Sequence, residues 1–79
     1  MGTQLQALEL LEQGDWQQAH SIVQEDESAT GCWLHGIVHT LEGDLANARY
    51  WYGRARRAWP RDVDAKAELV ALRGQLTRG

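Results

Sequence analysis

Apolar residues return every three or four positions along most of this chain, which is the period of an α-helix and not of a strand. Leu5, Leu8 and Leu11 open the pattern, and Trp33, Leu34, Ile37, Val38 and Leu41 carry it through the middle. Leu45, Ala48, Tyr52, Ala55 and Trp59 continue it, and Val63, Leu69, Val70 and Leu72 close it. Polar punctuation divides the pattern into five segments. Thr3 with Gln6 three positions on forms a capping box for a first helix over about 4–13, and Gly14 ends it. Asp15 caps a second helix that runs to about residue 25, where "EDESATG" interrupts the period. A third helix is predicted over about 31–42, ending at Gly43, and Asp44 caps a fourth that reaches about residue 58 before Pro60 forbids helical geometry. Asp62 caps a fifth, with Gly74 as its stop and residues 75–79 as a frayed terminus.

The chain also repeats itself. "LEQGDWQQA" at 11–19 and "LEGDLANA" at 41–48 each place Leu-Glu before Gly-Asp and an alanine four residues after the aspartate. In each copy the glycine turns the chain out of one helix, and the aspartate accepts from the free amides of the next. Two antiparallel helical hairpins follow from this, and an internal period of this length suggests a solenoid-type array. Residues 29–62 resemble one tetratricopeptide repeat: Gly36 and Ala48 stand at small positions, Gly43-Asp44 at the turn, Tyr52 at the aromatic position, Ala55 at the last small position and Pro60 at the terminal proline. Residues 1–28 resemble a shortened copy through Gly14, Asp15, Trp16 and Ala19. The resemblance departs at Cys32, His35 and His39, where that family usually has Trp, Leu and Tyr. A looser likeness of residues 35–55 to small uncharacterised microbial proteins brings no activity with it. The expected fold is all-α: one domain over residues 1–74, two helical hairpins and a C-terminal helix in a right-handed tetratricopeptide-like array.

The departing residues raise the question of chemistry. On a helical wheel His35, His39 and Glu42 fall within about 60° of one another and form one stripe beside the apolar arc. Asn47, Trp51 and Arg54 repeat the same spacing on the next helix. Across a tight turn the two stripes can face each other and form a groove. Four readings follow. As a partner groove, an aromatic-polar surface of this kind suits a peptide or protein, or a second copy of the chain, and the family resemblance implies the same role. As a metal site, His35, His39 and Glu42 would bind zinc or another divalent ion, with His20 or Cys32 in reserve as a fourth ligand. As a catalytic site, a His–Glu pair could act as a base, but no nucleophile stands beside it, so an enzyme is not expected. As plain packing, the polar groups would satisfy one another. The partner groove is the favoured expectation, without a cofactor; the metal site is the alternative.

Charge and composition narrow the partners. Residues 1–48 hold eight acids and neither Lys nor Arg, while from Arg49 onward eight bases meet three acids, so a net charge of −3 conceals halves of −8 and +5. Such polarity favours self-association or an internal match. Arg49, Arg54, Arg56, Arg57 and Arg61 form a basic cluster. The acidic balance and the lack of a recognisable motif argue against nucleic acid. A single cysteine excludes an internal disulfide, no apolar run approaches a bilayer span, and the Met1-Gly2 start lacks the hydroxyl residue that myristoylation wants at its sixth position. A cytoplasmic protein is expected, since no secretory signal is recognisable. Of the four tryptophans, Trp16 and Trp33 are expected in the core and Trp51 and Trp59 nearer the surface, where a dimer contact could use them. At 79 residues the domain buries only roughly 60–65% of its unfolded surface, so a partner, a metal or a second copy would add materially to its stability.

Overall fold

Each helix begins where a short polar side chain can accept its first free amides. In the computed structural model, which describes residues 3–78, Thr3 and Gln6 close a reciprocal capping box on α1 (Gln4–Glu12), and Asp15 accepts from Gln18 N–H at the start of α2 (Trp16–Val23). Ser28 caps α3 (Ala29–Glu42), Asp44 caps α4 (Leu45–Arg54), and Asp64 caps α5 (Ala65–Thr77). Met1, Gly2 and Gly79 lie outside the described residues, and with them the Met1-Gly2 start and the last residue of the expected frayed tail. All five elements are helices, and no strand occurs among the described residues.

The turn glycines act as their positions require. Gly14 has φ 83° and Gly43 φ 94°, values at which a side chain is strained. At the second turn Gly43 N–H donates to the Thr40 and His39 carbonyls and Asp44 N–H to His39 O at 2.9 Å, which wraps the end of α3 and sends α4 back along it. The hairpin is close because Gly36 lacks a side chain: a Cβ there would lie 2.5 Å from Tyr52 Cδ1 and 3.2 Å from the Ala48 carbonyl.

Helix α3 is the centre of the molecule, buried continuously from Gly31 to His39. It packs on α1, α2, α4 and α5, while α4 packs mainly on α3 and is tied to α5 by the Tyr52–Glu68 hydrogen bond. Leu8, Leu11, Val23, Leu34, Ile37, Val38 and Leu72 fill the core at 0–2% exposure, and each fully buried aliphatic side chain of this size contributes about 1.5–3 kcal/mol. Trp33 is buried as expected; Trp16, Trp51 and Trp59 are half-buried at its margin.

Two ends differ from the sequence expectation. Helix α4 stops at Arg54, not near 58, because the Arg57 amide bonds the Tyr52 carbonyl (3.0 Å) and the Arg56 amide that of Gly53 (3.1 Å), with Arg56 itself at φ 60°. The chain thereby leaves the helix early, and Trp59 meets the Tyr52 ring edge-on at 5.0 Å. Helix α5 is capped by Asp64, not Asp62, and runs through Gly74 to Thr77, with Val70 74% exposed. Its anchors explain the extension. Arg73 reaches Glu12 of α1 through two bonds of 2.7 and 2.8 Å, and Gln75 donates to Thr30 of α3 at 2.8 Å. Glu68 Oε1 accepts from Trp33 Nε1 at 3.1 Å and from the Tyr52 hydroxyl at 2.6 Å. Burial, reinforced by the bond to Glu68, pushes the Tyr52 hydroxyl pKa well above its usual range. Helix α5 therefore lies across α1 and α3, leaving the opposite side of α3, between α2 and α4, to a different set of residues.

Candidate functional site

That opposite side is polar at its centre. An antiparallel hairpin brings together residues equidistant from its turn, so with Gly43 at the turn, His35 meets Trp51. Their rings stack in parallel, with centroids 3.9 Å apart and planes 10° from parallel. One helical turn nearer the loop, His39 lies 5.0 Å from His35, and its Nδ1 is 2.8 Å from Glu42 Oε1. A carboxylate only accepts hydrogen bonds, so Nδ1 is the donor of this bond and Nε2 is the nitrogen it leaves uncommitted.

Helix α2 completes the group. His20 sits with its ring 4.9 Å from His35 and 5.4 Å from His39, edge-on to both. One nitrogen from each of the three imidazoles falls within 4.8 Å of the others. His35 and His39 are 4% and 8% exposed, and His20 is half-buried at the rim. Burial first, then the proximity of His39 and His20, lowers the pKa of His35 to about 4, so this ring is neutral at physiological pH. Its Nδ1 is fully enclosed and has no hydrogen-bond partner in the protein.

The remaining groove residues take supporting positions. Glu42 is exposed and holds His39. Asn47 is half-buried at the first turn of α4, where its backbone N–H donates to Asp44 Oδ1 at 3.2 Å and closes the cap. Arg54 is exposed, with its guanidinium carbon 5.4 Å from the Trp51 ring centre and Nη1 donating to the Tyr50 hydroxyl at 3.3 Å. The two stripes thus meet at His35 and Trp51. Cys32, a reserve ligand by sequence, is buried away from the trio, its thiol 3.9 Å from the Glu27 carbonyl and its pKa pushed up by burial.

No protein-family model, curated protein or solved structure matches the chain. What the site can do therefore follows from its own geometry. His20 is the residue that sequence reasoning held only in reserve: its spacing from the His35–His39 pair carries no periodic signal, because it arrives from another helix. No helix among the described residues is long and apolar enough to cross a membrane.

Proposed function

We propose that this chain is a small helical binding domain whose ligand site is the histidine groove between α2 and α4, and that the groove takes an ion or small molecule. The observation that carries this reading is the convergence of His20, His35 and His39, one of which, His35, also holds a buried ring nitrogen with no partner. Buried polar atoms are almost always paired, because an orphan costs about 1–3 kcal/mol. A ligand entering beside His35 Nδ1 would remove that cost. Trp51 already covers one face of His35, which favours a small group over a peptide. Binding is favoured over catalysis, since the buried Cys32 thiol stands apart from the trio.

A second reading, capture of a protein or peptide partner or of a second copy, is supported by the outer face of α4. That helix packs mainly on α3 and leaves Leu45 and Tyr50 about half exposed, with Arg49 and Arg54 beside them. A tetratricopeptide-like arrangement of the two hairpins agrees with this use.

Native mass spectrometry of protein purified without an affinity tag separates the two readings, because it reports bound mass and oligomeric state together. A stoichiometric non-covalent mass that disappears in His35→Ala supports the groove. A dimer that carries no added mass and dissociates in Tyr50→Ala replaces it with the interaction reading.

A further inference from the structure

We infer that the ligand of this groove is one divalent transition-metal ion of the zinc, cobalt, nickel or copper class, held by His20, His35 and His39 with Glu42 orienting His39. This inference rests on the groove being a ligand site, and it names the ligand. Three imidazole nitrogens form a donor set for borderline metals, whereas calcium and magnesium require oxygen ligands. Nitrogens bound at about 2.0–2.1 Å in a tetrahedron lie about 3.3 Å from one another. Those of the trio already fall within 4.8 Å, so they need to approach by about 1.5 Å or less to reach that spacing.

Independent features agree. A histidine ligand ordinarily gives its second ring nitrogen to a carboxylate, which fixes the tautomer and strengthens the donor. His39 does so to Glu42 at 2.8 Å, leaving Nε2 for the metal. His35 also has a buried nitrogen, Nδ1, that no group of the protein satisfies. Helices α2 and α3, which carry all three histidines, contain no lysine or arginine. A rival trio, His39, Glu42 and Asp44, rests on two exposed carboxylates that already accept hydrogen bonds from His39 and from the first amides of α4, whereas two of the three imidazoles are buried.

Two consequences follow. No fourth His, Cys, Asp or Glu among the described residues joins the trio, so the fourth position belongs to water or an external anion. The ion would also tie the α1–α2 hairpin, through His20, to the α3–α4 hairpin, so binding is coupled to folding stability.

The test is a cobalt titration of untagged, chelator-stripped protein, followed by visible absorption and tryptophan fluorescence, with zinc as competitor. The expected result is one cobalt ion per chain, a tetrahedral-type spectrum, displacement by zinc and a rise in Tm that grows with free metal. Glu42→Gln should weaken binding about 10–100-fold, the usual loss when an orienting carboxylate is removed. His20→Ala should weaken it further; this variant is chosen because His20 lies at the rim and its loss leaves the core intact, which circular dichroism checks. Trp51→Phe should keep the stoichiometry and lose the fluorescence response, since Trp51 is the indole stacked on a ligand ring. Absence of cobalt and zinc binding by the folded native protein overturns the inference, as does unchanged affinity in His20→Ala. Metal-free protein that still carries an organic mass lost in His35→Ala rejects the metal and retains the groove; loss of both rejects both.

Discussion

Glu68→Ala is expected to loosen α5 from the rest of the molecule. One oxygen of Glu68 accepts from Trp33 Nε1 at 3.1 Å and from the Tyr52 hydroxyl at 2.6 Å, and those two side chains are only 2% and 1% exposed. Alanine leaves both donors buried without an acceptor. Each orphan costs about 1–3 kcal/mol, so the variant should lose about 2–5 kcal/mol after partial rescue by water. Against a total of about 5–15 kcal/mol for a natural domain, this is a large fraction. At about 4–8 °C per kcal/mol for a domain of this size, Tm should fall by at least about 8 °C. Glu68→Gln keeps an oxygen acceptor and loses only the charge, so its loss should be about 1 kcal/mol. Urea unfolding followed by far-ultraviolet circular dichroism measures these differences, and a double-mutant cycle assigns them. In a Tyr52→Phe background, Glu68→Ala orphans one donor instead of two, and its cost should shrink by about 1–3 kcal/mol. A loss below about 0.5 kcal/mol for Glu68→Ala, or no coupling in the cycle, would refute the assignment of Glu68 as the acceptor that fastens α5.

Three further outcomes test other parts of the structure. Gly36→Ala should destabilise by about 1–3 kcal/mol, because its Cβ meets Tyr52 and the Ala48 carbonyl, whereas Gly53→Ala, with open space around it, should stabilise by about 0.5–1 kcal/mol; thermal melts that rank the pair the other way would show that α3 and α4 can part freely. Arg56→Gly should raise stability by about 0.5–1 kcal/mol, since φ of 60° suits glycine, and an unchanged urea midpoint would count against strain at this cap. For His35, the folded pKa of about 4 lies below the unfolded value of about 6.5, so the unfolded chain takes up the proton first. Its contribution is therefore intact above pH 6.5 and lost as pH falls towards 4. Metal-free protein should lose about 2 kcal/mol from this group between pH 7 and pH 5, and His35→Gln should remove that part of the slope; parallel curves for the two proteins would refute it.

What could be read from the chain alone was set by interactions within a few residues. Thr3, Asp15 and Asp44 act as caps because each side chain bonds an amide three positions on, and Gly14 and Gly43 turn the chain because their own backbone must adopt positive φ. The facing of His35 and Trp51 was legible for the same reason: a short turn puts residues equally distant from it side by side. So was the pairing of His39 with Glu42, one helical turn apart. Docking of whole helices obeys no local rule. The end of α4 at Arg54, ahead of Pro60, accompanies the packing of Trp59 on Tyr52, and the run of α5 past Gly74 reflects anchors on Glu12 and Thr30, 61 and 45 residues away in sequence. A helical wheel places His20 about the axis of α2 and says nothing of which neighbour that face will meet. Only the packing of α2 on α3 brings its ring within 4.9 Å of His35, turning a pair of histidines on one helix into three on two.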